Sequence, residues 1–107
     1  MLYWFYLILA ILFEVIGTTS MKLSEGFTKT VPSVMMFIFY ILSLVALTFA
    51  LKKFDVSSAY AIWSGLGTVL ISIVGIYLFK ESISPMKIIS IALIIIGVIG
   101  LHLSGKH

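Results

Sequence analysis

Apolar residues run along the chain in four long stretches that are separated by short polar segments. The stretches lie at residues 2–21, 33–51, 56–79 and 86–103. A membrane-spanning helix needs about 20 predominantly apolar residues, so each stretch is long enough to cross a bilayer. In the fourth stretch, the flexible stem of Lys87 lets its charge reach the interface. We predict an all-α membrane protein with four transmembrane helices per chain, forming a single domain over residues 1–107.

The segments that connect these stretches are short and carry turn residues. Residues 22–32 and 80–85 both end in a proline, and residues 52–55 form a tight turn. A proline fits the first turn of a helix because the N–H group that it lacks has no intrahelical acceptor there. Connections this short make consecutive helices antiparallel neighbours.

The composition supports this interpretation and excludes several classes of protein. Of the 107 residues, 62% are hydrophobic and 10% are charged, which is too little charge to cover a soluble domain. A cytosolic enzyme, a nucleic-acid-binding domain and a disordered chain are excluded. The chain has no cysteine, and its two histidines, His102 and His107, are too few for a metal site. It also lacks a phosphate-binding loop and a nucleophile triad, so we expect neither an enzyme nor a cofactor.

The lysines are nearly balanced between the two sides of the predicted membrane domain. One side carries Lys52, Lys53 and Lys106, and the other carries Lys22, Lys29, Lys80 and Lys87. Orientation normally follows the bias of Lys and Arg between the loops. Three against four gives little bias, which leaves two alternatives open. Weak signals fix one orientation, or the chain inserts in both orientations and pairs as an antiparallel homodimer.

Glu14 is an ionisable side chain deep inside a predicted span. Placing a charge there costs about 2.5–3.5 kcal/mol on insertion scales, and such residues commonly mark ion or proton pathways. The centres of the four predicted spans contain no Lys, Arg or His to neutralise it. Glu14 must therefore be protonated or meet a cation that binds and leaves. The alternative is a protonated Glu14 that only links two helices by a hydrogen bond.

Helical spacing groups polar and aromatic residues on one face of each of the first three helices. These groups are Glu14, Gly17 and Thr18, then Tyr40 and Ser43, then Tyr60, Trp63 and Ser64. Aromatic side chains within a span are commonly packing residues. Together with an unpaired carboxylate, they also provide the counter-charge and cation–π attraction that a lipophilic cation needs.

Glycines and serine give the last two helices distinct features. Gly65 and Gly67 weaken the third helix near its middle, so we predict a conformational hinge there, with close helix packing as the alternative. Ser90 and Gly97 form a notch of small side chains on the fourth helix, which favours contact between subunits.

Two blocks of sequence carry a resemblance to a known family. They are EVIGTTSMKLSEGFT at residues 14–28 and AYAIWSGLG at residues 59–67. With the four-span length and short loops, the whole chain resembles the small multidrug resistance transporters, and among them the quaternary-ammonium subtype. The resemblance implies an antiparallel homodimer in a bacterial cytoplasmic membrane, which exchanges protons for toxic organic cations.

Site residues follow from the positions that match. The resemblance implies that Glu14 binds both protons and substrate. The substrate pocket that we predict is lined by Trp63, Tyr60, Tyr40, Trp4, Gly17, Thr18, Ser43 and Ser64. The predicted dimer interface on the fourth helix consists of Ser90, Leu93, Ile94, Gly97 and Val98.

The residues at two positions distinguish substrate subtypes in this family. Guanidinium exporters carry tryptophan where this chain has Gly17, and they tend to carry threonine where it has Ser64. A pocket without the indole is wider, which favours bulky hydrophobic cations, with guanidinium export as the alternative. Two departures from the multidrug pattern are Trp4, in place of a frequent tyrosine, and Ser90, in place of a glycine.

Two further alternatives remain at this stage. In the first, the protein is one subunit of a heteromeric pair, as in the polyamine exporters of this family. The balanced lysines disfavour this alternative. The other is a structural four-helix subunit without transport, in which Glu14 would be dispensable.

Overall fold

The structure of the chain, a computed structural model, describes residues 2–104. Its four helices are α1 Leu2–Leu23, α2 Thr30–Ala50, α3 Val56–Leu78 and α4 Pro85–Ser104. Each helix is long and apolar enough to cross a membrane. This confirms the predicted all-α architecture with four membrane-spanning helices. Lys106 and His107, which entered the charge and metal arguments above, lie outside the described residues.

The chain divides into two compact units, Met1–Phe54 and Asp55–His107. The first unit is a helical hairpin of α1 and α2, and the second is a hairpin of α3 and α4. The short connections at residues 22–32 and 80–85 keep the two helices of each hairpin adjacent.

Helix boundaries extend past the apolar stretches by a few residues at the first connection. α1 continues to Leu23, and α2 begins at Thr30, three residues before the apolar stretch that starts at 33. The backbone N–H of Ser33 donates to the carbonyl of Lys29 over 3.2 Å, so helical hydrogen bonding begins among polar residues. Pro32 lies in this first turn, where its missing N–H is tolerated.

The α1–α2 connection is a compact loop with three successive residues in the left-handed region. Glu25, Gly26 and Phe27 have φ angles of 49°, 70° and 68°. The side chain of Ser24 is buried, and its Oγ accepts a hydrogen bond from the N–H of Phe27 over 3.3 Å. The ring of Phe27 stacks on Phe37 of α2, with 6.1 Å between the ring centroids. These contacts hold a backbone conformation that costs energy at the two residues other than glycine.

Small side chains make up much of the buried surface of the first unit. The buried residues of α1 and α2 are Leu7, Ala10, Ile11, Gly17, Ser20, Met36, Ser43, Ala46, Leu47 and Ala50. Small residues let helix backbones approach closely, which is how membrane helices commonly associate.

The second unit opens with a capped helix. The Oδ2 atom of Asp55 accepts hydrogen bonds from the hydroxyl of Ser57 at 2.9 Å and from the N–H of Ser58 at 3.3 Å. Hydrogen bonds lower the pKa of Asp55 below its ordinary value of 3.8. The bond from the Ser57 hydroxyl has the largest effect, followed by bonds from the side chain and the backbone N–H of Ser58. Asp55 thereby fixes the start of α3 at Val56.

Glycine also determines how α3 packs on α4. A Cβ atom added to Gly65 would lie 2.7 Å from Cγ2 of Val98 and 3.3 Å from Cγ2 of Ile94. The α3 backbone therefore touches the aliphatic side chains of α4 at this point. Any larger residue at position 65 would have to displace the side chain of Val98.

Candidate functional site

A chain of hydrogen bonds links Glu14 to the second helix. The Oγ1 atom of Thr18 donates to Oε2 of Glu14 over 2.6 Å, and it lies 2.6 Å from the hydroxyl oxygen of Tyr40. Thr18 stands one helical turn after Glu14, so both side chains project from the same face of α1. The structure thus brings together three of the predicted site residues, and all three are half-buried.

Gly17 is the place where the ring of Tyr40 meets the α1 backbone. A Cβ atom at position 17 would lie 2.7 Å from Cδ1 and 2.8 Å from Cε1 of Tyr40. Separations this short do not occur between real atoms, so the ring occupies the space that a side chain would need. Gly17 and Thr18 together set the position of Tyr40, one through its lack of a side chain and the other through its hydroxyl.

Ser43 joins the two helices one turn from this site. Its buried hydroxyl donates to the backbone carbonyl of Ala10 over 2.6 Å. In an α-helix that carbonyl is also the acceptor for the N–H of residue 14. Ser43 therefore fixes α2 against the turn of α1 that carries Glu14, a role that helical spacing within one helix could not reveal.

Trp4 lies near the start of α1, some distance from the carboxylate. Its ring makes an edge-to-face contact with Phe54, with 4.9 Å between the centroids. Trp4 precedes Glu14 by ten positions, which correspond to about 15 Å along a helix. An aromatic cluster at this end of the unit also stacks Tyr6 on Phe49 at 5.3 Å. Such rings are typical of a membrane interface.

In the second unit, two predicted pocket residues lie side by side on α3. The rings of Tyr60 and Trp63 have centroids 5.3 Å apart, and Tyr60 is exposed. Ser64, which is also exposed, donates its hydroxyl to the carbonyl of Tyr60 over 2.8 Å. The hydroxyl groups of Thr68 and Ser72 likewise donate to carbonyls four residues earlier on the same helix, each over 2.7 Å.

The predicted hinge lies inside an uninterrupted helix. α3 runs from Val56 to Leu78 through both Gly65 and Gly67. Gly65 contacts α4 as described above, and Gly67 is buried. The close packing that was the alternative to a hinge is therefore present at Gly65, and the hinge itself stays a prediction.

The residues of the predicted dimer interface fall into two groups on α4. Ile94 and Val98 are half-buried and face Gly65 of α3. Ser90, Leu93 and Gly97 are exposed, and a Cβ atom at Gly97 would meet nothing within 4 Å. The second group is open to contact with lipid or another chain.

Sequence analysis did not identify the carbonyl of Ala10 or the loop residue Ser24 as structural contacts. The Ala10 carbonyl could not be identified from the sequence because it is a backbone group, which any residue carries. Ser24 could have been identified, since a serine shortly before a glycine turn commonly hydrogen-bonds to the local backbone.

Comparisons with known proteins agree with this architecture. The family described as "Small Multidrug Resistance protein" matches residues 2–94. The chain is 60% identical to "Uncharacterized membrane protein YvaE" of Bacillus subtilis over 100 residues, which cover 94% of this chain and 84% of that protein.

Other relatives carry functional names. "Multidrug resistance protein EbrB" of Bacillus subtilis is 47% identical over 102 residues, covering 95% of this chain and 87% of the relative. A "Guanidinium exporter" of Escherichia coli is 44% identical over 101 residues, covering 94% of this chain and 96% of the relative. With four membrane-spanning helices and these relatives, the chain is a bacterial multi-pass inner-membrane transporter rather than an enzyme, and it belongs to the small multidrug resistance family.

Proposed function

We propose that the protein is a proton-coupled antiporter that exports hydrophobic and quaternary ammonium cations, with protons and substrate competing for Glu14. The observation that carries this proposal is the position of Glu14, half-buried in a membrane-spanning helix with a neutral hydroxyl as its hydrogen-bond partner. A carboxylate in that setting needs a proton or a cation to balance its charge.

Competition for one carboxylate is sufficient to couple two fluxes. A proton that arrives from the acidic side displaces the organic cation, and a cation that arrives from the cytoplasm displaces the proton. If the occupied protein changes the side to which it is open more readily than the empty one, the proton gradient drives export. No cofactor takes part in this scheme.

The aromatic residues suit an organic cation as the substrate. Tyr60 and Trp63 present neighbouring rings, and Tyr40 presents its ring beside Gly17. A desolvated cation gains about 2 kcal/mol or more from such a ring. Quaternary ammonium ions cannot donate hydrogen bonds, so they depend on these contacts and on the carboxylate for binding.

Gly17 supports bulky cations over guanidinium. The ring of Tyr40 lies where a side chain at position 17 would be, so the tryptophan typical of guanidinium exporters cannot fit without displacing that ring. The site is therefore built differently on the side of Glu14 that faces α2. The name of the relative EbrB is in line with this choice.

Guanidinium export is the second candidate. It rests on the identity of 44% with the Escherichia coli guanidinium exporter, which is close to the 47% shared with EbrB. Guanidinium is small, planar and rich in hydrogen-bond donors, so it would use the hydroxyl groups around Glu14 rather than the aromatic rings. Uptake measurements with both cations in the same proteoliposomes separate the two candidates.

The main test is transport by Glu14→Gln, which removes the charge and keeps the shape. We expect proton-driven uptake of tetraphenylphosphonium into proteoliposomes to vanish, while the variant still inserts and elutes with the wild-type oligomeric state. Glu14→Asp should retain coupled transport at a reduced rate because its carboxylate reaches one methylene less far. Wild-type transport by Glu14→Gln would eliminate the mechanism.

We also propose that the transporter is an antiparallel homodimer, in which both insertion orientations occur. The balanced lysines support this, and so does the exposed group Ser90, Leu93 and Gly97, which a second chain could cover. Adding two arginines to residues 52–55 or to residues 24–28 should fix opposite orientations. Each variant alone should lose resistance, and co-expression should restore it. Full resistance from either variant alone would refute the antiparallel pairing.

A further inference from the structure

The hydroxyl of Thr18 stands between two groups on different helices. It is 2.6 Å from the carboxylate of Glu14 and 2.6 Å from the hydroxyl of Tyr40. Both distances are short for hydrogen bonds between oxygen atoms. We propose that Thr18 is a positioning residue that transmits the charge state of Glu14 to Tyr40, and through Tyr40 to helix α2.

The number of protons on each hydroxyl group fixes which atom donates in each of these two hydrogen bonds. A hydroxyl group has one proton to donate and two lone pairs that accept. Because Thr18 donates its proton to Glu14, its bond with Tyr40 requires Tyr40 to be the donor. Both hydroxyl protons then point toward the carboxylate, and the charged form of Glu14 orders the whole chain.

Protonation of Glu14 changes whether the Tyr40 hydroxyl donates or accepts a hydrogen bond. When Glu14 is protonated, its own hydroxyl can donate to Thr18, and Thr18 can then donate to Tyr40. Tyr40 becomes an acceptor, and its own proton has to find another partner. No heavy atom has to move for this reversal, yet the hydrogen bonding of an α2 side chain differs between the two states.

The side chain of Tyr40 is held at two points, and one of them takes part in that reversal. The ring lies against the α1 backbone at Gly17, and its hydroxyl is held by Thr18 on the next residue. Two contacts therefore fix the ring, and one of them depends on the charge of Glu14. The bond to Thr18 remains in both states, but its direction changes with the protonation of Glu14, so the occupant of Glu14 changes the hydrogen bonding that joins α1 to α2.

Few other titratable groups of α1 and α2 lie near the hydrogen bonds that link Glu14, Thr18 and Tyr40, and a variant can test the effect of the nearest one. In α2, Tyr40 is the titratable residue of the helix, and α1 carries Tyr3, Tyr6 and Lys22 besides Glu14. Tyr6 and Tyr3 precede Glu14 by 8 and 11 residues, or about 12 Å or more along the helix axis. Lys22 follows Thr18 by one turn, so a Lys22→Gln variant is the control for a direct effect of that ammonium group.

This inference rests on the proposed role of Glu14, and its test separates the two. The full-length protein is labelled with 3-fluorotyrosine, reconstituted in lipid nanodiscs, and followed by fluorine NMR as the pH is varied. Loss of a resonance in Tyr40→Phe assigns the signal of Tyr40. We expect that signal to shift with pH in the wild type and in Lys22→Gln, and to lose the Glu14-dependent part in Glu14→Gln.

Thr18 variants decide the proposal. Thr18→Val keeps the side-chain volume without the hydroxyl, and we expect the Tyr40 signal to stop following Glu14. Thr18→Ser restores the hydroxyl and should restore the response. Affinity for tetraphenylphosphonium should fall about three- to tenfold in Thr18→Val, as expected for the loss of one hydrogen bond. Thr18→Val and Tyr40→Phe should not be additive.

Two results would overturn the inference. One is an unchanged response of Tyr40 to Glu14 in Thr18→Val, and the other is a failure of Thr18→Ser to restore a lost response. Neither result bears on whether Glu14 binds protons and substrate, because Glu14→Gln tests that separately by transport. If Glu14→Gln still transports, the proposed function fails even where Thr18 links the two residues.

Discussion

The two helical hairpins differ in how their helices are held together. In the α1–α2 unit, hydroxyl groups bridge the helices, from Ser43 to Ala10 and from Tyr40 through Thr18 to Glu14. In the α3–α4 unit, the hydroxyls of Ser64, Thr68 and Ser72 bond to carbonyls of their own helix, and α3 meets α4 where Gly65 contacts aliphatic side chains. Hydrogen bonds between helices are directional and fix a register, whereas aliphatic contacts are not directional.

This difference separates two tasks that a transporter has to perform. In the proposed mechanism, the carboxylate needs a defined environment so that it discriminates between a proton and an organic cation. Another part of the molecule has to move when the occupant changes. Ser and Thr side chains that bond to the carbonyl four residues earlier often bend helices slightly. α3 has three of them in succession beside two glycines, which supports the predicted hinge at Gly65 and Gly67.

The largest structural effect that we expect comes from Gly17→Ala. The added methyl group would lie 2.7 Å from the ring of Tyr40, so the ring must leave its place and the bond to Thr18 is lost. We expect a loss of about 1–3 kcal/mol in stability in mild detergent, and more than tenfold weaker tetraphenylphosphonium binding. Gly100→Ala is the matched control because a Cβ atom there meets nothing within 4 Å. Equal behaviour of the two variants would show that Tyr40 is not held at Gly17.

Gly65→Ala tests the corresponding contact in the second hairpin. Its methyl group would lie 2.7 Å from Val98, and we expect thermal unfolding in detergent to show a loss of about 1–2 kcal/mol. Because aliphatic contacts can readjust, Val98→Ala in the same chain should relieve part of that loss. A double variant whose loss equals the sum of the single losses would argue against a direct contact.

Ser43→Ala and Ser72→Ala compare a bridging hydroxyl with one that bonds to its own helix. Ser43→Ala removes the bond to Ala10 between the helices and should cost about 0.6 kcal/mol, a typical value for such bonds in membranes. Ser72→Ala removes a bond within α3 and should have a smaller effect. Chemical unfolding in micelles measures both, and the reverse order would contradict the distinction between the hairpins.

The smallest effect concerns the cap of α3. The pKa of Asp55 lies below its ordinary value of 3.8, so the folded protein favours the charged carboxylate. The resulting stabilisation is complete above the unfolded value and is lost as pH falls through the lower folded value. Asp55→Ala should therefore be less stable than wild type at pH 7, and the difference should shrink below about pH 4. Asp55→Asn, which keeps a capping side chain, should lose less at pH 7. A pH-independent difference for Asp55→Ala would show that the carboxylate does not act through its charge.

Sequence alone predicts the elements of this protein better than the contacts between them. Four apolar stretches give four helices, and the spacing of Glu14 and Thr18 places both side chains on one face of α1. Helical periodicity says nothing about the register of α2 on α1, so it could not show that Tyr40 lies opposite Gly17 or that Ser43 reaches Ala10. Likewise, Gly26 signals a turn, but nothing in the identities of Glu25 and Phe27 indicates their left-handed backbone.

The fourth helix also shows that a sequence pattern does not identify which neighbour a residue contacts. Sequence groups Ser90, Leu93, Ile94, Gly97 and Val98 in one interface because they share a helical face. In the structure, Ile94 and Val98 border on Gly65, while the other three residues are exposed. A face of a helix is wide enough to touch two neighbours, and the sequence pattern does not divide it between them.

The most direct test of the central claim is proton release on substrate binding. Tetraphenylphosphonium or guanidinium is added to weakly buffered, detergent-solubilised protein, and the pH is recorded for the wild type and for Glu14→Gln. We predict that tetraphenylphosphonium releases protons from the wild type, that Glu14→Gln releases none, and that guanidinium at the same concentration has a much smaller effect. Tight binding of tetraphenylphosphonium without proton release, or equal release from Glu14→Gln, would contradict a carboxylate shared between protons and substrate.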